Sequence, residues 1–102
     1  MAGYVYRFEW DPAKARTNQT KHAVSFELAT SVFKDALMVS VYDGAHSETE
    51  ERWATLGNAE NGKLLVLIHT FAETSGTGAV VRMISAREAT KSERQSYEET
   101  PR

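Results

Sequence analysis

Val80-Val81-Arg82-Met83-Ile84-Ser85-Ala86-Arg87 is the stretch that most constrains this chain. Its apolar and β-branched content specifies a strand, yet two guanidinium groups sit inside it. A strand fit for the core carries an arginine where a charged partner or a chemical task requires one. The rest of the chain must therefore supply a sheet that buries the apolar positions and an anion for the arginines. Alternation puts Arg82 and Arg87, five residues apart, on opposite faces of a regular strand. Arg82 shares a face with Ile84 and Ala86 and is the candidate for the anion. Arg87 leaves the strand before the last helix, placed to pair with Glu93 or Glu98, and reaches the same site only through a twist or bulge.

A chain of 102 residues is one domain, spanning 1–102. It has no cysteine, which excludes a disulfide scaffold and any thiolate metal or redox site. The longest apolar run, Leu64 to Ile68, is too short to cross a bilayer. Arg7, Glu9 and Asp11 interrupt any leader-like N-terminus, so the expectation is a cytoplasmic protein with no membrane partner.

The net charge of −2 argues against a general nucleic-acid binder, but the charge is unevenly spread. Residues 7–22 carry Arg7, Lys14, Arg16 and Lys21 against Glu9 and Asp11, and residues 82–94 carry Arg82, Arg87, Lys91 and Arg94 against Glu88 and Glu93. Residues 43–60 hold five acids against Arg52 alone. If the two basic segments meet, a positive cleft survives the acidic average; the competing picture is charge scattered over solvated faces.

Tyr4 to Trp10 alternates aromatic and polar residues as a first strand. Asp11-Pro12 starts a polar helix to about Lys21, with Asp11 as N-cap and Pro12 at the first helical position. Ser25 caps a second helix whose Phe26, Ala29, Val32 and Phe33 recur at helical spacing. Leu37–Tyr42, Arg52–Asn58 and Lys63–Phe71 read as strands, and Ala72–Ala79 as a flexible connection or long hairpin loop. Of two capping boxes, Thr90 with Glu93 is preferred over Ser85 with Glu88 for the last helix. The order strand, two helices, four strands, helix defines an α+β fold with a mainly antiparallel sheet.

Asn61-Gly62 is a strong signal for a two-residue type I′ hairpin turn. That turn pairs Glu60 with Lys63, Ala54 with His69 and Arg52 with Phe71, making Arg52 and His69 diagonal neighbours on one face and sending Glu51 and Trp53 to the other. One residue of slippage reverses these assignments. If the Arg82 strand pairs next to Lys63–Phe71, Arg82 joins His69. Arginines with a histidine suit phosphate better than metal. His22, His46 and His69 lie in separate segments without ligand spacing, so no metal or other cofactor is expected. His69 can alternatively be a hydrogen-bonded histidine at a strand end. Trp10 and Trp53 are candidates for stacking on a base, or else core residues.

Phe8-Glu9-Trp10-Asp11, Lys14, Lys21-His22 and Val24-Ser25-Phe26-Glu27 resemble the opening of the BrnT family of bacterial ribonuclease toxins. Asp43, His46-Ser47, Glu50-Glu51-Arg52, Gly57, Leu64-Leu65-Val66, His69-Thr70, Arg82 to Arg87, Ala89-Thr90, Glu93-Arg94 and Tyr97-Glu98 follow in the same order. The likeness covers about residues 7 to 98; Ala72–Ala79 departs from it, being longer and richer in Gly, Ser and Thr. The resemblance implies a RelE-like α+β fold and an RNase that blocks translation and growth. It also implies a BrnA-type antitoxin with a ribbon-helix-helix DNA-binding part, through which alone operator DNA is touched. It points to Lys21, Glu51, Arg52, Arg82 and Arg87 as functional side chains.

The expected chemistry is metal-independent attack of a ribose 2′-OH on the adjacent phosphate. Arg82 and Arg52 hold the phosphate, Lys21 adds a point charge, and Glu51 or His69 serves as base or acid. Arg87, Trp10 and Lys14 are candidate RNA contacts. The two-residue register sets Glu51 and His69 on opposite faces, so the choice between them stays open. The rival readings are a protein-binding module with a basic cleft, and an RNA-binding regulator without cleavage.

Overall fold

The computed structural model describes residues 4–101. The elements are β1 (Val5–Glu9), α1 (Pro12–His22), α2 (Phe26–Thr30), a 3-10 turn (Ser31–Lys34), β2 (Val39–Tyr42), β3 (Arg52–Asn58), β4 (Leu64–Thr70), β5 (Ala72–Ser75), β6 (Gly78–Glu88) and α3 (Lys91–Glu99). The fold is α+β. Its sheet has the order β1-β6-β4-β3-β2, with β5 pairing beside β4 on the first half of β6.

Local signals set the helix starts. Asp11 Oδ1 accepts the Ala13 amide at 2.8 Å with Pro12 in the first turn, and Ser25 Oγ accepts the Leu28 amide. Thr90 and Glu93 form the reciprocal capping box of α3. Helix α1 ends at Ala23, which has φ 57 and donates to the Gln19 carbonyl.

Two expectations of strand organisation are corrected. The sheet is mixed, because β1 runs parallel to β6, with Phe8 beside Val81 and Glu9 beside Arg82. The connection between this parallel pair is long, passing through both helices and the strands β2 to β5 before the chain returns to lie beside β1. Ala72–Ala79 is no loop: it holds β5, a turn at Gly76-Thr77 and the start of β6, so five strands separate α2 from α3. β5 is exposed throughout, and a strand with nothing to bury leaves no hydrophobic alternation to read.

The core lies between the helical layer and one face of the sheet. Phe26, Ala29 and Val32 meet Leu65, Leu67, Met83 and Ala86, all fully or almost fully buried. Helix α1 joins this layer through its polar Asn18. The Asn18 amide donates to the carbonyls of Val24 and Ala86 and accepts the Ala86 amide. β1 ends at Glu9, so β6 beyond Arg82 lacks a neighbour on that side, and Asn18 supplies the missing hydrogen bonds. Helix α3 packs against β3, with the Tyr97 hydroxyl donating to Asp35 at 2.5 Å and accepting from Asn58.

Candidate active face

Two local irregularities decide which side chains meet. The first is the β3–β4 turn. The Gly62 amide donates to the Ala59 carbonyl, the Ala59 amide donates to Lys63, and Gly62 has φ 86. Among the described residues, Ala23 is the one non-glycine residue with positive φ, so Asn61 does not take the conformation a type I′ turn needs. The connection is a three-residue loop with a left-handed glycine. The register slips by one residue: Trp53 opposes His69 and Arg52 opposes Thr70. Arg52 and His69 therefore lie on opposite faces, contrary to the two-residue expectation.

The second irregularity lies in β6. Ile68 pairs with Ser85 and His69 with Met83, leaving Ile84 as an extra residue in a bulge. The inward pattern runs Ala79, Val81, Met83 and then, after the bulge, Ala86. Regular alternation separated the two arginines; the bulge puts Arg82 and Arg87 on the same outer face, away from the helical core. Ile84 and Ala86 consequently do not share a face with Arg82 in the way a regular strand would require.

Arg82 and Arg52 thus fall into one row across the outer face, Glu9–Arg82–Thr70–Arg52, contributed by four neighbouring strands. Thr70 Oγ1 accepts the Arg82 amide at 3.3 Å. The Arg82 guanidinium pairs with Glu50, and both side chains remain more than a third exposed. Such a pair is worth under about 1 kcal/mol, so an incoming anion displaces it readily. Glu50, not Glu51, is the carboxylate brought to Arg82. Glu50 shares parity with Arg52, a signal present in the sequence. The Glu51 carboxylate instead accepts the Trp53 indole N–H at 3.3 Å.

Arg87, at the other end of the same face, is engaged. Its fork donates twice to Glu93, at 2.8 and 2.9 Å. This bond raises the Arg87 pKa and lowers that of Glu93 to about 2. Arg87 ties α3 to the sheet, one of the two arrangements expected for it.

His69 is buried on the core side. Its Nδ1 bonds the Thr70 carbonyl at 2.9 Å and its Nε2 lies 2.6 Å from the Thr55 hydroxyl, which is bonded in turn to Ser40. Burial lowers the His69 pKa below its ordinary value, only partly opposed by the Thr70 carbonyl. Phe33 meets the imidazole edge-on. His69 and Arg82 are not brought together.

Lys14 and Lys21 stand on α1 and line a cavity of about 320 Å³ with His22, Ile84 and Ser85. Among the described residues no carboxylate lies within ion-pair range of Lys14, Arg16 or Lys21. Ser85 is three residues along β6 from Arg82, so the two basic segments do meet. Trp10 packs edge-on against Phe26 at the margin of the core. No three His, Cys, Asp or Glu side chains converge as a metal site among the described residues. No helix among them is long and apolar enough to cross a membrane.

An α+β domain with paired arginines on the open face of its sheet is the class of molecule these features define. Residues 10–93 match the sequence profile of a family described as the ribonuclease toxin, BrnT, of type II toxin-antitoxin systems. The chain belongs to this family. The crystal structure of the Brucella abortus ribonuclease toxin BrnT superposes with a TM-score of 0.52 at 20% identity, covering 85% of this chain and all of that one. That likeness establishes the shared fold. No curated protein matches the sequence.

Proposed function

We propose that this chain is a RelE-like toxin that cleaves RNA without a metal ion, using the outer face around Arg82, Arg52 and Glu50. The observation that carries the reading is the row Arg82–Thr70–Arg52, with the Glu50 carboxylate on Arg82. A scissile phosphate displaces Glu50 and takes the arginine forks, which bind its oxygens and stabilise the charge that develops on them. The released Glu50 carboxylate then accepts the proton of the attacking 2′-OH as the 2′-oxygen bonds to phosphorus and the bond to the 5′-oxygen breaks, and the carboxyl returns that proton to the departing 5′-oxygen. DNA lacks that nucleophile and is spared. Lys14 and Lys21 steer the strand along β6, and Arg87 acts by seating α3. His69 supports the site from beneath, holding β3 to β4 through Thr55, without exchanging protons with substrate.

In the cell, such cleavage blocks translation and growth. A BrnA-type antitoxin neutralises the toxin in the cytoplasm, its ribbon-helix-helix part alone touching operator DNA. The test is incubation of pure protein with RNA and a matched DNA in EDTA. RNA cut with 2′,3′-cyclic ends and intact DNA are expected; intact RNA under conditions where a BrnT control cuts it defeats the metal-free reading.

A further inference from the structure

Beside the proposed phosphate row lies a cavity of about 210 Å³ on the core side of the sheet end, lined by Tyr6, Phe33, Met38, Trp53 and Phe71 with Ser40 and His69 at its polar wall. It is smaller than the roughly 300 Å³ at which drug-sized ligand pockets begin, and matches a single planar ring system. Aromatic walls of this kind stack on a nucleobase. Phe71 also lines the neighbouring cleft that contains Glu50, Glu51 and Thr70. The cavity and the Arg82–Glu50 pair are thus joined around one residue at the end of β4.

On the polar wall of the cavity, the protons of His69, Thr55 and Ser40 are already used within the chain. The Thr70 carbonyl can only accept, so Nδ1 of the neutral His69 imidazole carries the proton and Nε2 accepts from Thr55. The Thr55 oxygen then accepts from Ser40, whose own oxygen keeps its capacity to accept. At the rim, Trp53 holds the Glu51 carboxylate through one N–H, and the remaining carboxylate lone pairs are open. Guanine is the base whose N1–H and N2–H₂ present two adjacent donors to a carboxylate.

We infer that this cavity is a base-recognition subsite in which Trp53 and Phe71 hold a guanine and Glu51 reads its donor edge, next to the cleaved phosphate. The inference rests on the RNA-cleaving reading of the outer face and names the base which that face selects. Glu51 is then a specificity residue.

The experiment is titration of the intact protein with the four nucleoside monophosphates, following the Trp53 indole N–H by NMR, with Trp53→Phe identifying the resonance. Guanosine monophosphate is expected to shift that resonance at concentrations at least tenfold below the other three. Glu51→Gln, a change at a solvated rim, removes most of this preference with the fold intact. Cleavage mapping on a mixed-sequence RNA gives the second readout, with cuts clustered beside guanosine. Equal response to all four nucleotides, no response to any, or a Glu51→Gln protein that keeps the full preference overturns the subsite. Guanosine binding at Trp53 in a protein that cuts no RNA leaves the subsite standing and defeats the cleavage reading instead. Cleavage without base preference and with a silent Trp53 does the reverse.

Discussion

Arg82 and Arg87 have the same chemistry and the same face, yet opposite circumstances. Arg82 meets one displaceable carboxylate, whereas Arg87 is held by both oxygens of Glu93. Because the Glu93 carboxyl is held near pKa 2, against an ordinary 4.5, the folded chain binds fewer protons than the unfolded one between those values. Its contribution is present above pH 4.5 and is lost as pH falls toward 2. Urea midpoints measured across that window should fall less steeply in Glu93→Gln than in the parent. His69 acts in the same sense at higher pH. Burial disfavours its cation, so NMR titration should place half-protonation of His69 below the ordinary 6.5, and stability should decline as pH drops through that value. Ala23 is a third residue with a measurable cost. At φ 57 an alanine loses about 1–2 kcal/mol relative to a glycine, of which about 0.4–1 kcal/mol is returned by the greater freedom of glycine in the unfolded chain. Ala23→Gly should therefore raise the melting temperature by a few degrees at most.

At the scale of elements, Asn18 shows how a polar helix earns a place against the sheet. Its amide completes the edge of β6, so Asn18→Ala exposes the Ala86 N–H and C=O as buried, unpaired groups. Each such group costs about 1–3 kcal/mol, and urea denaturation of Asn18→Ala should show a loss of about 2–4 kcal/mol. The starts of α1, α2 and α3 were legible because Asp11, Ser25 and Thr90 act on amides two or three residues away. The Asn61-Gly62 turn was legible as a turn but not in its length, since the same dipeptide serves loops of two or three residues. That single residue exchanged the partners of His69. The Ile84 bulge left no local mark, because the run from Val80 to Ala86 stays strand-like through it. The parallel pairing of β1 with β6 joins residues more than seventy positions apart, beyond the reach of any periodicity. The arginines of the candidate site could be named from sequence; their company could not.

For the whole molecule, the net charge of −2 conceals a basic edge where α1 meets β6. RNA that contacts Arg82 and Arg52 and runs past Lys14 and Lys21 neutralises three or four phosphates. The logarithm of its affinity should then fall with the logarithm of salt concentration with a slope of about −2 to −3. Binding of uncleavable 2′-O-methyl RNA, measured by anisotropy between low and moderate salt, checks this. Lys14→Ala with Lys21→Ala should flatten the slope by about 1.4, while a slope near zero in the parent would mean that RNA does not follow this edge.

The most direct test of the account is the rate of RNA cleavage in EDTA by Arg82→Ala and Arg87→Ala, each compared with the parent after thermal melts confirm folding. The arginine that holds the phosphate should matter to the chemistry and the arginine that holds α3 should not. Arg82→Ala is predicted to lose about 10²–10³-fold in rate, the loss typical of removing one transition-state donor, with little change in melting temperature. Arg87→Ala is predicted to melt earlier and to cleave within a few-fold of the parent below its melting point. A folded Arg82→Ala protein that cleaves at the parental rate would contradict the assignment of the site.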